Sequence, residues 1–328
     1  CYGKGGDLPT VTDAHAVIGT LGAETFDGTG ICFSREAAVA AIENHIARPM
    51  GWSLAKAAHA IIEIAVANMT EMVRLATVRR GYDPRDFAIL ASGGAGPLHA
   101  ALVGLEVGVQ EVLIPPQSGM FSALGALLGE VRHDLSASLL LPLHDLDPQV
   151  IVSAFEGLSG KVEGLLAAES ADCSGARFQR FADLRFVGQL FELRIPLGEG
   201  NDPLPEAIDI GHRFRAAYCE EFGFDLPGSR IELVNVHLVA TLPLSVRSEL
   251  LFGRSPPSRD AGPHHERSYI DQQGHTRQVP VHLAQDCAGR TLQGPVLIDH
   301  SGSTIWVPHG TLAAIQDDGS VVFNLSRR

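Results

Sequence analysis

Apolar residues recur at three- and four-residue spacing over residues 53–80, which is the pattern of one long amphipathic helix. Ser53 suits the start of this helix, because a serine hydroxyl accepts a hydrogen bond from a free backbone N–H. Gly81 suits its end, where a chain commonly turns into the left-handed conformation. A shorter helix is predicted over 12–21, and a third over 205–224.

Two short apolar runs, at 87–91 and 112–114, flank a glycine-rich turn. Unbroken runs of this length are typical of strands that are buried on both faces. The turn is Gly93-Gly94-Ala95-Gly96-Pro97, and a helix is predicted directly after it over 98–107. A further helix is predicted to begin near Ser118. This order of helices and strands indicates an α/β lobe with some parallel strand pairing.

The second half of the chain has a different pattern. Apolar and polar residues alternate over 178–195, which predicts a half-buried antiparallel strand or hairpin, and 231–242 predicts another strand. Residues 250–268 are rich in proline, serine and charge, and they indicate a flexible loop. Short strands separated by glycine and proline are predicted from Arg267 onward.

The polar, proline-containing stretch 141–148 lies where the two patterns meet, so it is taken as a domain boundary. Residues 1–140 are then an α/β region, and residues 141–328 form a second, β-rich α+β domain. A chain of 328 residues is long enough for two domains of ordinary size.

Composition narrows the class of protein. Hydrophobic residues make up 45% of the chain, so the material for two cores is present. The net charge is −13 at pH 7 and no cluster of lysine and arginine occurs, which disfavours a nucleic acid as partner. No run of 18 or more apolar residues is present, so no transmembrane helix is predicted.

The five cysteines are scattered and include no CxxC pair. This argues against a disulfide framework or a zinc site and favours a reducing, cytoplasmic setting. The chain begins at Cys1 rather than at methionine, and we expect it to be a fragment, so the lack of a signal peptide carries little weight. The alternative is that Cys1 is an N-terminal nucleophile that uses its own amine as base.

The turn at 93–97 is the strongest candidate for a ligand site. Glycine lets a phosphate or ribose approach the backbone, and the following helix adds partial positive charge. The segment is not a Walker A loop and lacks the GxGxxG spacing, so the residues alone leave either another nucleotide fold or close packing. His99, just inside the helix, is a donor or general acid/base in the first case and a structural residue in the second.

A second glycine-rich segment occupies the start of the chain. Polar side chains beside flexible backbone make it a candidate substrate or metal loop, with Tyr2, Gly5, Gly6, Thr12 and Asp13 as its residues. The alternative is that Thr12 and Asp13 only cap the helix predicted over 12–21.

Other chemical motifs are weak. Asp27-Gly28-Thr29-Gly30 resembles a phosphate loop, but no apolar strand precedes it, so a surface turn is predicted. His264-His265-Glu266 lies in the stretch predicted to be a loop. The sequence contains no HExxH zinc motif and no GxSxG nucleophile elbow. We therefore predict no resident metal site and assign no catalytic residue.

Four segments together resemble the hydantoinase A/oxoprolinase family, which includes N-methylhydantoinases, 5-oxoprolinases and subunits of acetone and acetophenone carboxylases. They are CYGKGGDLPTVTDAHAVIGTLG at 1–22, a stretch at 78–134 that contains RDFAILASGGAGPLHAALVGLEVG, FADLRFVGQLFELRIPL at 181–197 and GPVLIDHSGSTIWVPHG at 294–310. The similarity follows the order of the family across nearly the whole chain.

The resemblance implies an actin-like ATPase fold whose two lobes hold ATP and Mg²⁺ between them. In that fold a Gly-Gly turn of this kind contacts the adenosine or the α-phosphate. The nucleotide-binding residues that it implies are Gly93, Gly94, Ala95, Gly96, Pro97 and His99. The two Asp-x-Gly-Gly-Thr phosphate loops of the family do not occur in this sequence. The chain is therefore expected to match the end of the ATPase region over 1–140 and the acetophenone carboxylase-like C-terminal domain over 141–328.

Three positions depart from the family pattern. His237 stands where family members tend to have arginine, Asp299 stands in place of glutamate, and no Asp-Arg pair is recognisable around 283–285. These departures are also compatible with a relaxed or degenerate copy of the family's enzyme.

The chemistry of the family implies a function for the intact protein. A cyclic amide resists hydrolysis until ATP phosphorylates its carbonyl oxygen and so creates a leaving group, with Mg²⁺ and backbone donors stabilising the transfer. The leading interpretation is a fragment or subunit of an ATP-dependent hydrolase of the hydantoin or 5-oxoproline type. It would be inactive alone and would assemble with a hydantoinase B-like partner. The alternatives are a subunit of an acetone- or acetophenone-type carboxylase and a degenerate, non-catalytic assembly module.

Overall fold

A computed structural model describes residues 1–26, 30–169, 173–200, 202–243, 262–300 and 302–325. Its helices are α1 (Val11–Ile18), α2 (Arg35–Ile42), α3 (Arg48–Met50), α4 (Leu54–Thr77), α5 (Gly96–Val107), α6 (Phe121–Leu128), α7 (Pro148–Glu169) and α8 (Ala207–Phe222). Its strands are β1 (Ile89–Leu90), β2 (Glu111–Ile114), β3 (Glu130–Pro142), β4 (Arg177–Phe186), β5 (Leu193–Glu199), β6 (Ile231–Pro243), β7 (His265–Ile270), β8 (Thr276–Leu283), β9 (Thr291–Gln293), β10 (Val296–His300), β11 (Ser303–Val307), β12 (Leu312–Ile315) and β13 (Val321–Asn324). The mixed α/β class predicted from the sequence is confirmed.

The chain folds into two compact units. Unit 1 joins Cys1–Gly125 to Glu249–Arg328, and unit 2 is Ala126–Ser248. The chain therefore leaves unit 1 within α6, whereas the stretch 141–148, predicted to be a boundary, begins inside the continuous strand β3 of unit 2. A boundary drawn along the sequence also misses the return of the C-terminal strands to unit 1.

The long helix α4 follows its prediction closely. The Ser53 hydroxyl caps its first turn, and a 3₁₀ turn carries its end to Gly81, whose φ of 81° is left-handed. The cap of α1 was predicted at the wrong residue, because Thr10 is the N-cap and not Thr12 or Asp13. Asp13, at the third helical position, bonds back to Thr10, so each residue satisfies a backbone N–H of the other.

A five-stranded sheet in unit 1 has the order β1-β2-β13-β12-β9. β1 and β2 are parallel, as predicted, and the C-terminal strand β13 pairs antiparallel with β2. Val112 and Ile114 are fully buried on one face, whereas Leu113 is 36% and Leu90 53% exposed. The prediction that both apolar runs are buried on both faces is therefore wrong. An unbroken apolar run does not by itself ensure that packing covers its second face.

The second sheet of unit 1 has the order β11-β10-β8-β7. Its strands confirm the short strands predicted from Arg267 onward. His265 and Glu266 belong to β7, so their prediction as loop residues is wrong. Most of the turn predicted at 27–30 and most of the loop predicted over 250–268 lie outside the described residues. Helix α5 packs against β2 and β11, which brings the turn before it close to both sheets.

Unit 2 is built on an antiparallel sheet of order β3-β6-β4-β5, with α7 and α8 packed against it. The hairpin predicted over 178–195 is β4 and β5, and the predicted helix 205–224 and strand 231–242 are α8 and β6. Phe186, Phe214 and Tyr218 lie at the centre of its core, each at most 2% exposed. Among the described residues, no helix is both long enough and apolar enough to span a membrane.

Candidate functional site

The turn at Gly93–Pro97 joins β1 to α5. Gly94 and Ala95 are exposed, Gly93 has a left-handed φ of 84°, and Pro97 lies in the first turn of the helix. Ala95, the N-cap, gives α5 no side-chain hydrogen bond. Pro97 carries no N–H and Leu98 N donates to the Ala95 carbonyl at 3.2 Å, so the N–H of Gly96 is the group of this first turn that remains for another acceptor. The twelve-residue helix adds partial positive charge at this end. This arrangement suits a hydroxylated or anionic ligand.

Residues behind the turn fix its position. Gly93 N donates to the Ser118 carbonyl oxygen at 2.7 Å. The hydroxyl of Ser118 lies 2.7 Å from Ser303 Oγ and 3.3 Å from His300 Nδ1. His300 Nε2 donates to the Gly319 carbonyl at 2.9 Å, so Nδ1 of the neutral ring accepts from Ser118. The sequence analysis missed this group because 182 residues separate Ser118 from His300.

His99 lies on the buried side of α5. It is 6% exposed, and its Nε2 lies 3.3 Å from Nε2 of His15. Hydrogen bonding between two facing ring nitrogens requires one to donate and the other to accept, so at least one ring is neutral. Burial lowers the pKa of His99, and no described residue hydrogen-bonds its Nδ1. This environment favours a structural role for His99 over a role as hydrogen-bond donor or general acid/base.

His15 extends this contact into a chain of three groups. Its Nδ1 lies 2.7 Å from Thr20 Oγ1. Burial, with smaller contributions from His99 and His59, lowers the pKa of His15 to about 3. The ring is therefore neutral at physiological pH, and Thr20, His15 and His99 form a buried chain of uncharged polar groups.

The candidate loop at the start of the chain places its residues in different environments. Tyr2 packs edge-to-face on Phe26, with ring centroids 5.4 Å apart. Gly5 and Gly6 are exposed, with open space where a side chain would begin. Thr12 is half-buried. Of these candidate residues, Gly5 and Gly6 are the ones whose backbone a ligand can reach without meeting a side chain.

Asp13 is 2% exposed and fully engaged. Its oxygens accept hydrogen bonds from the Cys1 nitrogen at 2.6 Å and from the Thr10 amide and hydroxyl at 2.8 and 2.7 Å. Burial raises the pKa of Asp13, but these hydrogen bonds outweigh burial and hold it below its usual value. The geometry favours capping over ligand binding. Across the described ranges, no three His, Cys, Asp or Glu side chains are grouped as metal ligands would be.

Unit 1 contains an open cavity of about 820 Å³. Helices α1, α4 and α5 contribute His15, His59 and Leu102, and strands β7 and β11 contribute Tyr269 and Trp306. The rings of Tyr269 and Trp306 are 4.8 Å apart. Sequence analysis missed this site because its residues come from distant parts of the chain and match no motif.

The strands β4, β5 and β6 of unit 2 bring together Asp183, Arg194 and His237. Arg194 Nε and Nη2 lie 2.8 and 3.3 Å from the two Asp183 oxygens, and His237 Nε2 lies 2.6 Å from Oδ2. Burial raises the pKa of Asp183, but hydrogen bonds from Arg194 and His237 outweigh burial and hold it below its usual value. His237, the noted departure from arginine, is thus a partner of a buried carboxylate.

Comparison with known proteins agrees with the sequence resemblance. Residues 1–135 match the family model described as hydantoinase/oxoprolinase. The caprolactamase subunit alpha of Pseudomonas jessenii is 30% identical over 99% of this chain and 47% of its own length. The crystal structure of the ATP-dependent caprolactamase from that organism has a TM-score of 0.68 at 28% identity, over 100% of this chain and 48% of that chain. A nucleotide-free acetone carboxylase structure shares the fold, with a TM-score of 0.79 at 21% identity over 98% of this chain and 47% of that chain.

The chain spans about half the length of the curated relatives it matches. The family model covers the segment that holds α1, the Gly93–Pro97 turn and α5, and the relatives extend the similarity to nearly the whole chain. Over residues 1–135, this chain matches the hydantoinase/oxoprolinase family.

Proposed function

We propose that this chain is part of an ATP-dependent hydrolase acting on cyclic amides, and that its turn at Gly93–Pro97 forms the adenosine-side wall of the ATP site. The observation that carries the proposal is the exposed turn at the start of α5, where no side chain caps the first N–H groups. Such a helix start accepts a phosphate or a ribose hydroxyl at close range. The similar caprolactamase is described as ATP-dependent, which supports ATP as the nucleotide.

A cyclic-amide hydrolase is favoured over a ketone carboxylase. The caprolactamase subunit is 30% identical across 99% of this chain, compared with 27% across 99% for the acetone carboxylase beta subunit of Xanthobacter autotrophicus, so the preference rests on a small difference in identity. In both reactions ATP would supply a phosphoryl group to a substrate oxygen. The two reactions therefore differ in their substrate, and the nucleotide wall does not distinguish between them.

In this proposal the segment that the family model matches, residues 1–135, supplies the end of an actin-like ATPase region, and the polypeptide after it belongs to the C-terminal domain of the family. The phosphate loops come from polypeptide outside this sequence, and Mg²⁺ arrives with ATP, since Asp13 is already engaged. A hydantoinase B-like subunit completes the enzyme, in keeping with the naming of the caprolactamase relative as a subunit. Cys1, Cys32, Cys219 and Cys287 form no disulfide, which suits the cytoplasm.

Titration calorimetry of the 328-residue chain with Mg-ATP tests the nucleotide wall. Among the described residues, a Cβ built on Gly94 would have one neighbour within 4 Å, the Gly302 carbonyl oxygen at 3.6 Å, so the backbone accepts Gly94→Leu and the new side chain lies over the turn. We expect weak Mg-ATP binding by the unmodified chain and a loss of about tenfold or more in Gly94→Leu. Gly164→Leu is the control, since Gly164 is an exposed helical residue of unit 2 with open space around it.

Equal Mg-ATP affinity in the two leucine variants would contradict the role of the turn. Turnover of a cyclic amide by the isolated chain would contradict its role as one part of a larger enzyme. In the complete enzyme, hydrolysis of a cyclic amide without bicarbonate is expected. A strict requirement for bicarbonate and a ketone would instead identify a carboxylase.

A further inference from the structure

Unit 2 contains an open cavity between α7 and the sheet. Its volume is about 610 Å³, which is in the range of small-molecule sites. One wall is a stripe of α7, and the other is formed by strands β4 and β6 and by the segment that follows β5. The apolar part of the lining is Val152, Phe155, Phe178, Leu204 and Leu238. An apolar group of a ligand would replace water against these side chains.

Arg180 places a buried cation in the wall of this cavity. It is 8% exposed, and its Nη2 donates to the Asp202 carbonyl oxygen at 2.5 Å and to the Glu199 carbonyl oxygen at 3.5 Å. No described residue accepts a hydrogen bond from its Nε or Nη1, and no described carboxylate forms an ion pair with it. Burial lowers the pKa of Arg180, and the charge of Asp202 offsets only part of this effect. An anionic group in the cavity would supply the missing partner.

Two carboxylates line the same cavity from α7. Glu156 and Glu163 are both exposed and lie on one face of the helix, about two turns apart. No described residue pairs with either carboxylate. They would repel a ligand that carries only negative charge and would attract one that also carries an ammonium group. The lining thus combines an unpaired buried cation, unpaired carboxylates and apolar side chains.

We propose that the cavity of unit 2 binds a free amino acid with an apolar side chain, whose carboxylate pairs with Arg180 and whose ammonium group faces Glu156 and Glu163. A guanidinium suits a carboxylate because its planar donors match the two carboxylate oxygens. The apolar side chain of the ligand packs on Phe155 and Leu238, which line the cavity. Binding here requires neither ATP nor a cyclic amide, so it goes beyond the proposed function.

Calorimetry and saturation-transfer NMR on the full 328-residue chain test the proposal with three probes. Phenylalanine carries both charges, 3-phenylpropanoate lacks the ammonium group, and 2-phenylethylamine lacks the carboxylate. We expect 2-phenylethylamine to bind about tenfold or more weakly than phenylalanine, because the charged hydrogen bond with Arg180 is lost. We expect 3-phenylpropanoate to bind about threefold more weakly, because exposed carboxylates attract less strongly, and added salt should reduce this difference.

A pair of glycine variants locates the binding. Gly160 is exposed on α7 and lines the cavity, and a Cβ built on it has open space around it. Gly160→Leu therefore fills the cavity without disturbing Arg180, and we expect it to abolish phenylalanine binding. Gly157→Leu is the matched control, because Gly157 is exposed on the same helix and equally open but is not part of the lining.

Two charge variants assign the partners. Arg180→Met removes the cation and keeps an apolar side chain, and it should weaken phenylalanine binding about tenfold or more. Glu156→Gln combined with Glu163→Gln should bring the affinities of phenylalanine and 3-phenylpropanoate together. If Arg180→Met does not fold, the two glycine variants still decide whether the cavity is the site.

Absence of phenylalanine binding by the unmodified chain would overturn the inference, as would equal phenylalanine binding by Gly160→Leu and Gly157→Leu. Equal binding of phenylalanine and either of the other two probes would contradict recognition of a zwitterion. A folded Arg180→Met variant that binds phenylalanine like the unmodified chain would leave Arg180 with a structural role only. The Mg-ATP titration with Gly94→Leu concerns unit 1, so its failure and a failure of phenylalanine binding are distinguishable.

Discussion

Units 1 and 2 each place histidine in a buried polar cluster. The cluster of unit 1 is uncharged at physiological pH, whereas that of unit 2 contains an ionised carboxylate. In unit 1, Thr20, His15 and His99 are linked by 2.7 and 3.3 Å contacts, with no carboxylate in that chain of described residues. In unit 2, His237 lies 2.6 Å from Asp183, which is also held by Arg194.

The difference shows that neighbours decide the charge of a buried group. Desolvation disfavours the charged form, and the neighbouring His99 and His59 disfavour it further, so the pKa of His15 falls to about 3. Asp183 is also desolvated, but two hydrogen-bond donors outweigh that penalty and lower its pKa. Unit 1 therefore buries a neutral chain of polar groups, and unit 2 buries a charged cluster. Three experiments test this difference.

Removing the buried charge of unit 2 should have the largest effect. Asp183→Ala removes the carboxylate that holds Arg194 and His237 and leaves the more distant Asp134, 3.6 Å from His237 Nδ1, beside them. We expect this change to cost about 3 kcal/mol. Hydrogen exchange of β4 and β6 amides measures the loss. Asp145→Ala is the control, since that side chain is 73% exposed and should change stability by less than about 0.5 kcal/mol. If Asp183→Ala lowers stability no more than Asp145→Ala does, the cluster does not stabilise unit 2.

Mild acid should destabilise unit 1 through His15. The folded pKa is about 3 and the usual value 6.5, so the unfolded state takes up more protons as pH falls below 6.5. Between pH 6.5 and 5 this removes about 2 kcal/mol, and His99 adds to it in the same direction. Asp183 adds nothing in this window, because its folded pKa lies below the usual 3.8.

The measurement for this prediction is hydrogen exchange of α1 amides at pH 6.5 and 5, corrected for intrinsic rates. His15→Gln keeps a polar side chain without the titrating ring and should flatten the pH dependence. An unchanged slope in His15→Gln would assign the acid sensitivity to other groups.

Trimming the neutral chain should have the smallest effect. Thr20→Val removes the hydroxyl beside His15 Nδ1 and is expected to cost about 1 kcal/mol, the value of one ordinary hydrogen bond. Urea unfolding followed by tryptophan fluorescence measures it. Thr291→Val, at an exposed strand position, is the control. If both valine variants unfold at the same urea concentration, the contact between Thr20 and His15 does not stabilise unit 1.

Local patterns predicted the elements whose signals are contiguous. The periodicity of α4 and its Ser53 cap, the turn before α5, and the β4–β5 hairpin all appear where expected. Such elements form from side chains close in sequence, so the sequence holds their whole signal. The cap of α1 was missed by two residues, because cap-type side chains stand at both Thr10 and Thr12 and only the contact with Asp13 selects between them.

Long-range packing accounts for the remaining differences between the predicted and the observed structure. Leu90 is 53% exposed although its apolar run predicted burial, because coverage of a strand depends on what packs against the sheet. The chain passes from unit 1 to unit 2 after Gly125, before the stretch 141–148. The strand β13 returns to pair with β2 in unit 1, and no sequence pattern encodes that return.

The sequence by itself determined the family, the α/β class and the glycine-rich turn that we propose as the nucleotide wall. Tertiary structure alone decided which side chains share a site: His15 meets His99 across 84 residues, and His59 meets Ile270 across 211. The physical reason is that a turn or a cap is closed by neighbours in sequence, whereas the protonation of a buried imidazole and the shape of a cavity depend on distant segments that exclude water together.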